Sequence, residues 1–302
     1  MQKAMENGIL TSQQLVMCYM QRTFQTQEYI SSVMQLNPDV MTIAAKRDEQ
    51  RKAGQVLVPL HGIPMETTVR SYALLGSIVP RDAFVVACLR EAGAVLFGKS
   101  TMSEWADMRS TGYSVGYSPR VFNPMGSSSG SAVGVAANAI AFSLGTETDG
   151  SVIRPAHKNG VVGIKPTVGL ASQDGCEHQD TVGTFDCLHN ATFGIPWNSF
   201  WAIANEETKA QLGSLINLIQ ENGGTIINGT EITNHVTVVN KAGWDWNWQG
   251  KIGHPEKSEY TVVLVDFDNN IKKYLSELQN TKMRSLEDII KFNYENDGTE
   301  GG

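Results

Sequence analysis

Residues Gly126 to Ser131 read Gly-Ser-Ser-Ser-Gly-Ser and run straight into the small-residue stretch Ala132 to Ala139. A short apolar run, Ile140 to Leu144, follows, and then Gly145-Thr146-Glu147-Thr148-Asp149-Gly150-Ser151. So many consecutive glycines, serines and alanines commit this region to tight turns and close backbone approach. Glycine-rich turns also expose backbone N–H groups. Exposed amides beside a serine hydroxyl are the two things acyl transfer needs, a nucleophile and an oxyanion hole. A Ser/Gly run by itself is more often a loop or a helix cap. Here the pattern continues through Arg154-Pro155-Ala156 and Asn159-Gly160-Val161-Val162-Gly163-Ile164-Lys165-Pro166-Thr167, which makes one ordered block from Gly126 to Gly169.

Around this block, helical and strand patterns alternate. Thr11 with Gln14 predicts a capping box and a helix running to about Thr23. Pro80 precedes a helix over about Arg81 to Glu91, which Gly93 ends. Ala94 to Phe97 reads as a short buried strand, and a helix is expected near Ser103 with Glu104 in its first turn. The Ser/Gly loop, a helix from Gly130, and strands at Ile140–Leu144 and Val161–Ile164 come next. Farther on, Glu206–Asn222 reads as a helix, Thr225–Ile227 as a strand, and Asn270–Gln279 and Ser285–Phe292 as helices. This order predicts an α/β fold, a mixed central sheet covered by helices, with Ser127 at a helix entry. The tryptophans at 244, 246 and 248 read as packing a loop onto the body, with a stacking platform for a ligand as the alternative.

With 302 residues, 41% hydrophobic and 18% charged, the chain can bury a sizeable core. A net charge of −7 and the lack of any basic run argue against nucleic-acid binding. No apolar stretch reaches the roughly 18 residues of a membrane span. No signal peptide is visible, which makes the cytoplasm the default compartment. Cys18 and Cys88 fall among apolar residues in expected helices and read as buried thiols. Cys176 and Cys187 lie close enough in sequence to pair, although spacing alone does not establish a bond. No cysteine has metal-ligand spacing, so neither a metal nor a cofactor is expected. Asn190-Ala191-Thr192 and Asn228-Gly229-Thr230 fit the glycosylation acceptor, a pattern common by chance. Nothing in the sequence specifies an oligomeric state.

The block from Gly126 to Gly169 resembles the amidase signature family, whose hallmark is a Gly/Ser-rich segment of this kind. Pro59-Leu60-His61-Gly62-Ile63-Pro64, Pro80 to Val86, Gly98-Lys99, Ser103-Glu104-Trp105, Phe193-Gly194-Ile195-Pro196 and Met283 to Ile290 are also similar to it. The resemblance spans nearly the whole chain. It implies one amidase-like domain over residues 1–302, with the Gly/Ser-rich core in 1–173 and a shortened loop plus the remaining amidase region in 174–302.

The resemblance also implies a chemistry: hydrolysis of a non-peptide carboxamide C–N bond in a small-molecule substrate, without a metal or cofactor. Ser151 matches the family's nucleophile and Ser127 the bridging serine, which the family holds on a cis peptide. The amides of Thr148, Asp149, Gly150 and Ser151 match the oxyanion hole. In the family a lysine, kept neutral by burial, takes the proton relayed through the bridging serine. Here Thr68 stands at the lysine position, and Val69 and Arg70 stand where Asp-Asn belong. A threonine hydroxyl is no base near neutral pH. Glu66 is a second proton acceptor in the segment, in a register the sequence leaves open. Lys99 and Lys165 read as structural ion-pair partners, and His61 and His157 as packed or surface histidines. Met125 replaces a glycine usual in the family, Ile153 occupies a frequent arginine position, and the stretches Gly116–Met125 and Gly175–Thr192 are short. These departures set a second reading beside the first: a degenerate relative that binds without turnover. An amidotransferase subunit is a third reading, against which the acidic charge counts.

Overall fold

The computed structural model describes residues 1–57, 60–68, 71–107, 126–166, 192–199, 201–221, 223–235 and 259–296. The expectations placed on Val69, Arg70, Met125, Cys176, Cys187, Asn190, Trp244, Trp246 and Trp248 lie outside them. So do those on the segment Gly116–Met125 and on Gly175 to Ala191.

The helices are α1 (Gln2–Glu6), α2 (Ser12–Ile30), α3 (Val40–Lys52), α4 (Phe84–Glu91), α5 (Ser129–Ala136), α6 (Ile153–Asn159), α7 (Glu206–Glu221), α8 (Glu259–Glu277) and α9 (Leu286–Glu295). The strands are β1 (Val33–Leu36), β2 (Pro64–Thr68), β3 (Val95–Ser100), β4 (Phe142–Ser143), β5 (Thr192–Ile195) and β6 (Thr225–Asn228). Two compact units form: Met1–Gly183 with Asn269–Gly302, and Thr184–Asp268.

The first unit carries a four-stranded mixed sheet in the order β1-β3-β2-β4. β3 runs antiparallel to β1 and parallel to β2, and β2 runs parallel to β4. The expected mixed sheet covered by helices is therefore present. α2 begins with the expected capping box, Thr11 and Gln14 satisfying each other's backbone, but it continues past Thr23 to Ile30. Its first amides, those of Ser12 and Gln13, donate to the Asp48 carboxylate of α3 at 2.6 and 3.1 Å. Leu15, Val16 and Tyr19 then face the sheet at helical spacing. With Met5, Val33, Val40, Ala44, Ile63, Val95, Phe97 and Ile140 they make the core. Tyr19 meets Phe97 edge to face at 6.5 Å.

α5 packs against β2, β3 and β4, and Gly130 sets how close it comes. A methyl on Gly130 would collide with the carbonyl oxygen of Thr101 and stand 2.5 Å from its nitrogen and 2.7 Å from Ser32 O. The Gly130 N–H uses that proximity, donating to Thr101 O at 2.8 Å.

Several sequence expectations need correction. Glu104–Asp107 is a kinked 3-10 segment, with Trp105 and Ala106 in the left-handed region at φ of 48° and 53°. It is not an α-helix, because that positive-φ pair cannot propagate helical hydrogen bonds. Val161–Ile164 forms no strand, and only Phe142–Ser143 of the Ile140–Leu144 run pairs. Cys18 and Cys88 are exposed, not buried. α2 turns Leu15, Val16 and Tyr19 inward and Cys18 outward, and α4 buries only Val86.

In the second unit β5 and β6 pair in parallel, joined through α7. Trp197 packs edge-on against Trp201 at 4.7 Å and donates its ring N–H to Asn228 Oδ1 at 3.1 Å. The amides of Asn198 and Ser199 and the Ser199 hydroxyl donate to Glu231, holding its carboxyl below the usual range.

Candidate active site

β2, β3 and β4 are parallel, so their C-terminal ends, at Thr68, Ser100 and Ser143, share one edge of the sheet. Crevices at such edges are where open α/β sheets bind ligands. The chain leaving β3 turns at Thr101, and Ser103 N donates to Ser127 O at 3.0 Å, which ties the Gly/Ser loop to that edge. Ser127 is fully buried, and its hydroxyl has no partner among the described residues. Gly126 precedes it at φ 133°, where a methyl would stand 2.6 Å from Pro155 Cδ and 3.1 Å from Gly150 O. Only glycine lets the two loops approach this closely.

Four contacts bind the loop of Ser127 to the loop of Ser151. Ser128 N donates to Ser151 O at 3.0 Å. The Ser128 hydroxyl donates to Thr146 O at 3.1 Å and accepts from Thr146 N at 3.0 Å. Gly126 packs on Pro155. Ser127 and Ser151 thus lie in loops that are bonded to each other.

Glu147, which the sequence reading passed over, shapes the second loop. Its buried carboxylate accepts from the amides of Gly150 at 2.8 Å, Val152 at 2.6 Å and Ile153 at 2.8 Å. It thereby caps α6, whose first turn otherwise has no side-chain cap, and it favours the positive end of the helix. An acidic residue three to six positions before a helix start was the available signal. The Gly150 amide is committed to this carboxylate. The amides of Thr148, Asp149 and Ser151 donate to no acceptor among the described residues. Thr148 and Asp149 are exposed and Ser151 is half-buried. A hydroxyl flanked by undonated amides is an arrangement that can receive a developing oxyanion.

The end of β2, where the resemblance puts the base, is built differently. Thr68 ends β2 and pairs with Ser100. The Ser100 hydroxyl meets that of Ser131 at 2.8 Å and Thr67 O at 3.2 Å, and Ser131 donates to Leu144 O at 2.7 Å. Glu66 is fully buried, and neither of its oxygens has a partner among the described residues. Desolvation alone pushes its carboxyl up to about 8. The register left open by the sequence is now defined. Glu66 Oε2 lies against Gly134, five residues into α5 and about 8 Å beyond the start of the helix that follows Ser127. Glu66 and Ser127 are not hydrogen-bonded to each other, since neither the Glu66 oxygens nor the Ser127 hydroxyl has a partner among the described residues.

The other candidates take the following places. His61 is fully buried, its Nε2 against Arg47 O at 2.8 Å and its Nδ1 accepting from Leu57 N at 3.3 Å. Burial pushes its pKa down, so it serves the core as a neutral ring. His157 is exposed on α6. Lys99 lies in β3 between Gln35 and Thr67, and Lys165 is half-buried beyond α6. Among the described residues no group of His, Cys, Asp and Glu could hold a metal ion. No helix among them is long and apolar enough to cross a membrane.

Comparison with known proteins places the chain by family and fold. The sequence profile of the Amidase family matches residues 14–187. A Schizosaccharomyces pombe protein named as an amidase is 46% identical over 372 residues, covering all of this chain and 63% of that protein. That alignment is longer than the chain's own 302 residues, so the relative carries internal stretches that this chain lacks. An Arabidopsis thaliana protein also named as an amidase is 35% identical over 95% of this chain and 65% of its own length. The chain thus spans a little under two thirds of these two relatives. Among solved structures, the peptide amidase of Stenotrophomonas maltophilia is similar, with a TM-score of 0.77 and 29% identity. The match covers all of this chain and 72% of that one.

Proposed function

The chain belongs to the amidase family, and we propose that it is a weak amide hydrolase working through a serine nucleophile. The substrate is a small molecule bearing a non-peptide carboxamide, and the bond cleaved is its C–N bond. Ser151 attacks the carbonyl carbon while its proton passes to the Ser127 hydroxyl, which gives up its own proton to the departing nitrogen; the C–N bond breaks, the amine or ammonia leaves, and water then hydrolyses the acyl-serine and restores the Ser151 hydroxyl. The oxyanion is received by the amides of Thr148, Asp149 and Ser151. The Gly150 amide, which the resemblance places in the same set, is taken up by Glu147 instead. Glu147 acts on the reaction only by holding this loop in shape. The observation that carries the reading is the set of contacts joining the two loops, above all Ser128 N to Ser151 O at 3.0 Å. They hold a buried hydroxyl and a half-buried one together beside amides with no other acceptor.

The reaction is weak because Thr68 gives Ser127 no base. Loss of a positioned general base typically costs a factor of about 100 to 10,000. The unpartnered Ser127 hydroxyl also supports a second reading, a relative that binds its ligand without turnover. A fluorophosphonate probe separates the two. Slow labelling of the purified chain that disappears in Ser151→Ala supports the hydrolase. Labelling no faster than in Ser151→Ala refutes it in favour of the binding-only relative.

A further inference from the structure

Successive residues of a strand alternate faces, so Glu66 and residue 68 share one face of β2, about 7 Å apart. Beside α5 that face is dry. A methyl added to Gly134 would stand 3.4 Å from Glu66 Oε2, 3.7 Å from Ser32 Cβ and 3.8 Å from Ile140 Cγ2. Both carboxyl oxygens are buried and without partners among the described residues, and no neighbouring charge acts on the group. A buried carboxyl in such a place gains most from a cation in the same dry layer, because pairing offsets the desolvation of both groups.

Resting on the reading of Ser151 and Ser127 as a hydrolase site without its base, we propose that Glu66 is a second barrier to that base. An amine placed at residue 68 would be held by Glu66 as an ammonium and would not stand neutral beside Ser127. Lysine and glutamate side chains together easily span two residues of a strand. An opposite charge within about 4–6 Å favours the ammonium by about 1–3 pH units, whereas proton relay needs the free amine. Restoring a lysine at position 68 therefore does not by itself restore the base; Glu66 has to change with it.

The pairing has a signature independent of activity. At neutral pH, difference infrared spectroscopy of the full chain should show a protonated-carboxyl band that is missing in Glu66→Gln. In Thr68→Lys that band should disappear as Glu66 ionises against the new ammonium, and Thr68→Lys should melt above the Glu66→Gln/Thr68→Lys double variant. A band that persists in Thr68→Lys overturns the proposal. So does a Thr68→Lys chain that fails to fold while the double variant folds. Fluorophosphonate labelling of Ser151 should stay within about threefold of the unaltered chain in Thr68→Lys and rise at least ~100-fold in Glu66→Leu/Thr68→Lys. Equally fast labelling of both variants overturns the proposal. Loss of the band with no labelling in either upholds the pair and counts against the hydrolase reading alone.

Discussion

Replacing Glu66 with glutamine should make the chain more stable, and more so as the pH rises. The carboxyl is fully buried, with no charged neighbour to compensate, and stands at about 8 against an ordinary 4.5. Below 4.5 the group is protonated in both folded and unfolded chains, and folding costs it no proton. Between 4.5 and 8 the unfolded chain ionises while the folded one keeps its proton. Stability then falls with rising pH at about 1.4 kcal/mol per unit. Above 8 both states are ionised and the fall stops. The whole span comes to about 5 kcal/mol, of which about 3 kcal/mol has been lost by pH 7. Glutamine has the same shape and does not titrate. Urea unfolding of both chains across this range gives the difference directly. The stability advantage of Glu66→Gln should grow by about 3 to 4 kcal/mol between pH 5 and pH 8. Two stability curves that run parallel over that range would refute the reasoning, since Glu66 would then be solvated or paired in the folded chain.

Two further outcomes follow from the loops and from α5. Glu147→Ala leaves the amides of Gly150, Val152 and Ile153 without their acceptor. It should cost about 3 kcal/mol in urea unfolding and slow labelling of Ser151, with Glu147→Gln intermediate, since bonds to a charged group are worth about 1.5–3 kcal/mol. The two helix glycines should respond with opposite signs. Gly130→Ala drives a methyl into the backbone of Thr101 and Ser32 and should lower the melting temperature, at a cost of about 1–3 kcal/mol. Gly134→Ala meets its nearest atom at 3.4 Å and gains helix propensity, so it should be neutral or stabilising by up to about 1 kcal/mol.

Local signals alone determined a good part of this molecule. The Thr11–Gln14 capping box, the strand after Gly93, the helix entered through the Ser/Gly loop and the helix–strand alternation were all legible, because each depends on neighbours within one or two turns. The serine-rich block was legible for the same reason, since glycine and serine at that density have few uses besides close approach. Tertiary structure decided what depends on distant partners. Trp105 and Ala106 sit in a positive-φ turn where helix propensity pointed to an α-helix, and Cys18 faces solvent because Leu15, Val16 and Tyr19 take the buried side of α2. Glu147 looked like one more polar loop residue until the fold aimed three amides at it. Glu66 showed itself as a buried acid only when pairing with β3 set its register and α5 closed over it. Burial and hydrogen-bond direction are properties of packed surfaces, and a linear pattern carries them only where the packing is local.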